Sequence, residues 1–236
     1  MMENQPRYDM YAFIHKALRK AMGECLVALG NVDTLDNDEF DRVVDQAQML
    51  LQICLGHVEH ENDFIHTAME ARRPGSSHNI ANQHDDHEQH IAHLSAELQR
   101  IRQMPALRRA EPLHACYREF ALWVADNFVH MEQEERDHNA VLWACYSDDE
   151  IRAIEQALVA HHNASGSPSI AVIQTQLMAA LSPTQRADLL CAARTQMPAT
   201  LFDALVTNLA TVLSTDHHAK LLKSLAQQDA QLIAAG

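Results

Sequence analysis

"GHVEHENDFIH", residues 56–66, places three histidines and three acidic residues in eleven positions of a segment whose composition otherwise suits a helix. The surrounding chain has few helix breakers, with 6 glycines and 7 prolines among 236 residues, and its β-branched residues form no alternating runs. These features predict an all-α protein. Because a buried charge without a partner is costly, the deciding question is whether His57 and Glu61 face water or the core.

Helix start and stop signals divide the chain into four long helices, a shorter fifth helix and several short C-terminal helices. Asp36 with Glu39, and Ser147 with Glu150, have the spacing of capping pairs that open the second and fifth helices. The long helices are predicted over residues 8–29, 36–72, 78–103 and 111–146.

The composition changes after "HHNASGSP", residues 161–168, which we interpret as a linker. Beyond it, Ser167 and Ser182 each precede a proline and so are suited to open a short helix. We predict an up-down-up-down four-helix bundle with a flanking helix over residues 1–163. A helical C-terminal extension follows over residues 164–236.

Apolar residues spaced by three and four along each long helix define the face that should be buried. Histidine interrupts this face in all four helices, and the same spacing continues the second and fourth faces through Phe64 and Asp137. At about 1.5 Å per residue from the nearest turns, the inward polar residues lie at one level of the bundle. The inward set is His15, His57, Glu61, His84, His87, His130 and Glu134. The residues off these faces include His60, His90, His93 and Glu135.

This inward set predicts a metal site. A lone core histidine is usually a hydrogen-bonded structural residue, but a whole layer of such groups would be mutually unsatisfied without a metal ion. Seven ligands exceed the four of a tetrahedral zinc site and suit two metals. Imidazole with carboxylate favours iron, with manganese, zinc or copper as alternatives. The remaining interpretation is a structural, histidine-rich bundle that binds zinc adventitiously.

The carboxylate content bears on function. Oxygenase and ferroxidase bundles use four carboxylates with two Glu-x-x-His motifs, whereas this face holds two glutamates. Fewer anionic ligands stabilise high-valent iron less, which favours reversible binding of a small diatomic molecule, or electron transfer to it, over oxidation of a C–H bond.

These residues resemble the hemerythrin-like family, the His-His-Glu cation-binding domains. The resemblance covers about residues 8–146 and rests on His15, "HVEHE" (57–61), "HDDH" (84–87) and "HMEQEE" (130–135). It implies a four-helix bundle around two non-haem iron ions, oxo- or hydroxo-bridged when oxidised. By it, one iron would be held by His15 and His57, the other by His84, His87 and His130, with Glu61 and Glu134 bridging.

The chain departs from the family pattern in the third helix. The family usually spaces its histidines there four residues apart, but residue 83 is glutamine and the pair here, His84 and His87, is spaced by three. The metal ligand is therefore His84, His87 or both. The bridging Glu134 follows His130 by four residues, as in bacterial iron and nitric-oxide-related members.

The resemblance implies a protein that binds nitric oxide or dioxygen. The alternatives are an enzyme that reduces nitric oxide or repairs iron centres, and an iron or redox sensor. The net charge of -14 speaks against nucleic-acid and anionic membrane partners. Five scattered cysteines and the absence of a signal-like or long apolar segment predict a cytoplasmic location. The sequence identifies neither a redox partner nor an oligomeric state.

Overall fold

The computed structural model describes residues 7–164, 169–194 and 198–235, and all the regular elements of these residues are helical. The all-α prediction is confirmed for this part of the chain. The α-helices are α1 Ala12–Asn31, α2 Asn37–His60, α3 Thr67–Arg72, α4 His78–Arg102, α5 Ala110–Gln133, α6 Asn139–Cys145, α7 Asp148–Ala164, α8 Ser169–Ala180, α9 Pro183–Arg194, α10 Ala199–Val212 and α11 Thr215–Ala235.

Two compact units make up the chain, Met1–Ser169 and Ile170–Gly236. In the first unit, α1 packs against α2 and α5, and α4 packs against the same two helices. Buried residues of these helices form one hydrophobic cluster. The alternation of their directions and the boundary at residues 163 and 164 stay predictions.

Side-chain caps fix where the helices begin. The Asp36 carboxylate accepts hydrogen bonds from the backbone N–H groups of Asp38 and Glu39, both at 3.0 Å. The Ser147 hydroxyl accepts from the N–H of Glu150, whose carboxylate accepts from the N–H of Ser147 in return. Both predicted capping residues are confirmed, because their side chains satisfy N–H groups that the helix leaves unpaired.

Two π-helical turns interrupt the long helices. The first π turn, Glu61–His66, joins α2 to α3, and the second, Glu134–His138, joins α5 to α6. A π turn accommodates one extra residue, so side chains beyond it are rotated relative to a regular α-helix. Phe64 is partly exposed and Asp137 is exposed, whereas His66 and His138 are buried. The predicted inward positions of Phe64 and Asp137 were wrong for this reason.

The polar core layer lies between two apolar clusters. For example, Tyr11, which directly precedes α1, belongs to one cluster and Leu18 of α1 to the other, with His15 between them. The larger cluster also holds Cys25 and Cys54, which are fully or almost fully buried. The apolar residues on both sides restrict access of bulk water to the layer.

The second unit contains a buried arginine that closes a helix end. The Arg186 guanidinium donates to the backbone carbonyls of Met178 and Leu181, at 2.7 Å each. It thereby satisfies carbonyls that the end of α8 leaves without helical partners. The predicted cap at Ser182 is present, because its hydroxyl accepts from the N–H of Gln185, whereas Ser167 lies outside the described residues. None of the described helices is long and apolar enough to cross a membrane.

We expect the Asp36 cap to stabilise the helix that carries His57. Replacing Asp36 by alanine should lower the free energy of unfolding by about 1 kcal/mol, because two N–H groups lose their acceptor. Asp36→Asn is the matched control and should retain most of the stability. Urea denaturation followed by tryptophan fluorescence measures both, and equal midpoints for Asp36→Ala and the wild type would contradict the prediction.

Candidate metal centre

Six of the seven predicted site residues come together in the core of the first unit. Each of the four long helices supplies one histidine, and the first residue of each π turn is a glutamate. The side chains of five are at most 5% exposed, and that of His57 is 16% exposed. The six are His15, His57, Glu61, His84, His130 and Glu134.

These residues form two overlapping groups, and both contain Glu61 and Glu134. The first group adds His15 and His57, and the second adds His84 and His130. Within a group, the possible ligand atoms all lie within 4.8 Å of one another. Either group is compact enough to surround a metal ion.

Glu61 turns a different oxygen towards each group. Its Oε1 lies 3.3 Å from His57 Nε2 and 3.7 Å from His15 Nε2. Its Oε2 lies 3.5 Å from His84 Nε2. The carboxylate therefore has one oxygen beside each histidine pair.

Glu134 has the same arrangement. Its Oε2 lies 3.4 Å from His15 Nε2, whereas its Oε1 lies 3.4 Å from His84 Nε2 and 3.3 Å from His130 Nε2. Ligand atoms bound to one metal at about 2.1 Å are separated by roughly 3.0–3.4 Å in octahedral or tetrahedral geometry. The observed separations are close to these, and longer than good hydrogen bonds.

Several of the converging atoms have no hydrogen-bond partner among the described residues. They are His15 Nε2, His57 Nε2, His130 Nε2, Glu134 Oε2 and both carboxylate oxygens of Glu61. Burying so many polar atoms without partners is costly, and a metal ion would satisfy them together. The donor set therefore fits a metal.

Outer hydrogen bonds orient three of the histidines. His15 Nδ1 is 3.0 Å from Glu135 Oε1, and His84 Nδ1 is 2.7 Å from Asn62 Oδ1. His130 Nδ1 is 2.8 Å from Gln83 Oε1. Because each partner is an acceptor, the proton belongs on Nδ1, which leaves the lone pair of Nε2 directed into the site.

The pKa shifts of the site residues indicate a shortage of positive charge around the two carboxylates. Burial and the neighbouring Glu134 raise the pKa of Glu61 to about 8. Burial also acts to raise the pKa of Glu134, but the nearby imidazoles of His130 and His84 outweigh it and hold that pKa well below its usual value. Burial opposes protonation of His15, yet its hydrogen bond to Glu135 and the adjacent Glu61 carboxylate raise its pKa to about 9. Two adjacent buried carboxylates ionise together only when cations compensate them.

His87 points away from the two groups. Its Nε2 is 3.1 Å from Asp126 Oδ2, and its ring packs on that of His130 with centroids 4.4 Å apart. Within the described part of the chain, neither group includes it. The structure therefore brings His84, but not His87, into contact with the glutamates.

Two buried histidines escaped the sequence analysis. His66 and His138 are 6% and 1% exposed, and burial lowers the pKa of His66 to about 3 and that of His138 to about 4. Both imidazoles are therefore neutral near pH 7. The repeated four-residue spacing of His130, Glu134 and His138 was a signal that could have identified His138, but His66 follows Glu61 by five residues and needs the π turn.

The chain matches no family model, no curated protein and no solved structure. What the structure supports is a helical protein with buried groups of histidine and glutamate that could bind metal. The resemblance to hemerythrin-like proteins stays an expectation drawn from the motifs.

The different orientations of His84 and His87 give a direct test. His84→Ala should weaken metal binding by more than about 10-fold, because it removes a nitrogen that faces both glutamates. His87→Ala should change the affinity little, and His93→Ala, at an exposed position, is the matched control. Titration with ferrous iron under anaerobic conditions measures the affinities. A larger loss in His87→Ala than in His84→Ala would contradict the observed geometry.

Proposed function

We propose that this chain is a hemerythrin-like protein whose two metal groups hold a pair of iron ions that binds nitric oxide or dioxygen. The observation that carries the proposal is the division of oxygens in Glu61 and Glu134, each of which presents one oxygen to either histidine pair. A carboxylate serving one metal has no need of this arrangement. It would suit a carboxylate shared by two metal ions.

The donor chemistry supports iron. Four imidazole nitrogens and two carboxylates make a mixed nitrogen and oxygen set, and each group offers two histidines and two shared carboxylates. Sites with two histidines, carboxylate oxygen and open positions are typical of non-haem iron that binds small molecules. Because His87 lies outside the second group, both groups have the same number of protein ligands, and each would leave coordination positions for a small molecule.

The charge balance supports binding rather than oxidation of a substrate. The net formal charge would be near +1 for two iron(II) ions with two carboxylates and one hydroxide. When bound, such a pair supplies electrons to a diatomic ligand, while the two carboxylates provide only limited stabilisation of higher iron oxidation states. This balance favours reversible capture of the gas.

The chain's own residues would hold and shield this centre. Glu135, Asn62 and Gln83 keep three imidazole rings oriented through their Nδ1 atoms. Arg19 donates to the Glu135 carboxylate and so restrains that partner in turn. Outer partners of this kind typically alter metal affinity or activity by about 10- to 100-fold.

The stoichiometry tests the proposal. We expect two iron ions per chain after anaerobic reconstitution, because both groups are complete in a single chain. Glu61→Gln and Glu134→Gln keep the side-chain size but remove the bridging charge, and each should lower the iron content below two. Elemental analysis measures the content. One tightly bound ion in the wild type, unchanged in both variants, would refute a dinuclear centre.

Exposure of the reduced protein to nitric oxide and to dioxygen separates binding from catalysis. Capture predicts a stable adduct in the absorption and Mössbauer spectra, with one gas equivalent bound per iron pair. Steady production of nitrous oxide would instead favour the enzymatic alternative. A reduced protein whose spectra respond to neither gas would contradict the proposed ligand class.

Metal removal should destabilise the first unit selectively. Both tryptophans, Trp123 and Trp143, lie in that unit, so tryptophan fluorescence reports on it alone. Because metal binds the folded chain, its removal should lower the melting temperature of this signal by on the order of 10 °C. Far-UV circular dichroism also follows the helices of the second unit, whose contribution should shift less because the metal groups lie in the first unit. Identical fluorescence melting curves with and without a chelator would argue for purely structural histidines.

A further inference from the structure

The two π turns place a second pair of histidines inside the first unit. His66 is the last residue of the first π turn, and His138 is the last residue of the second. Their rings meet edge to face with centroids 5.0 Å apart, and both side chains are more than nine-tenths buried. The same local distortion in two different helices therefore produces one contact.

Each of these histidines has a buried nitrogen without a partner in the described residues. The atoms are His66 Nε2 and His138 Nε2. The other nitrogen of His138, Nδ1, is 2.8 Å from the hydroxyl of Tyr11, which is also buried. A phenol is the stronger donor of the two groups, so the Tyr11 hydroxyl donates to Nδ1. The proton of the neutral His138 ring is then on Nε2.

His138 therefore presents a buried N–H donor that has no acceptor among the described residues. Leaving such a donor unsatisfied is costly, whereas an apolar residue of similar size would avoid the cost. Purely structural packing gives no reason to place two imidazoles here. A group that accepts hydrogen bonds only when it is bound would give one.

The position of the pair indicates which group that is. The His66 ring stacks on the ring of His84, with centroids 4.9 Å apart and planes 12° from parallel. His84 belongs to the second metal group, together with His130 and both glutamates. His87 was predicted to be a ligand in this same group, but its Nε2 faces Asp126 and the group does not include it.

We propose that His66 and His138 donate hydrogen bonds to the small ligand held at the metal pair, with Tyr11 as the positioning residue that sets the His138 tautomer. This inference rests on the proposed function. The inference extends that function by assigning a selectivity for the bound ligand. Imidazole N–H donors stabilise a ligand whose outer atom carries partial negative charge. Small anions and electron-rich diatomic adducts meet that requirement.

The tautomer is tested on the full-length chain without added metal. In 15N-labelled protein near pH 7, long-range 1H–15N correlation spectra should show His138 protonated on Nε2. Tyr11→Phe removes the hydroxyl and should reduce the population of that tautomer. His138 protonated on Nδ1 in the wild type would overturn the inference.

Ligand affinity is tested with azide, a small anion, on the oxidised iron-loaded protein. His138→Leu and His66→Leu should each retain two iron ions and bind azide about fivefold to 10-fold more weakly, the effect of one lost hydrogen bond. His138→Gln restores an N–H donor and should recover most of the affinity. Met69→Leu, a volume-conserving change in the neighbouring apolar cluster, is the packing control and should bind azide normally.

The outcomes separate this inference from the proposed function. A wild-type chain that takes up no metal pair would overturn both. Two iron ions in every variant with unchanged azide affinity would overturn the donor role alone. Loss of one iron ion in His66→Leu would make His66 a metal ligand and would also overturn that role. Weaker azide binding with recovery in His138→Gln would support it.

Discussion

Two carboxylates buried side by side, those of Glu61 and Glu134, impose the main constraint on the first unit. Neither is more than 1% exposed, and their mutual repulsion raises the free energy of the state in which both are ionised. The fold places a histidine from each of the four long helices around them. The layer thus contains possible metal ligands with polar atoms that lack hydrogen-bond partners among the described residues. The apolar clusters on either side exclude the water that would otherwise solvate these atoms.

The π turns follow from the same constraint. Each begins at a glutamate of the layer and lies four residues beyond a histidine of the same helix. A regular helix would continue the apolar face through Phe64 and Asp137, but the extra residue turns these two away from the core and, in the first π turn, brings His66 inward. The π turn weakens helical hydrogen bonding locally. In return, the core contains a polar side chain that regular α-helical periodicity would not place there.

The features that could be predicted from the sequence are those that follow regular helical periodicity. Helix positions, the caps at Asp36 and Ser147 and the convergence of four histidines with two glutamates all depend on spacings of three and four residues. His84 and His87, three residues apart, differ by about 60° around the helix, so spacing alone could not decide which would face the carboxylates. Outer partners such as Asn62 lie on other helices, and their identity depends on packing between elements. The burial of His66 depends on the change of helical register at the π turn, which no residue pattern in the sequence predicts.

The buried cysteines have a chemical consequence for a protein of this kind. Burial raises the pKa of Cys25 to about 12 and that of Cys116 to about 11, and it raises the pKa of Cys54 as well. Oxidation and nitrosation proceed through the thiolate, so these side chains are chemically inert at neutral pH. If the centre handles dioxygen or nitric oxide as proposed, the thiols of the core that supports it are in their least reactive form. The protein then meets oxidants repeatedly without accumulating covalent damage at these three cysteines.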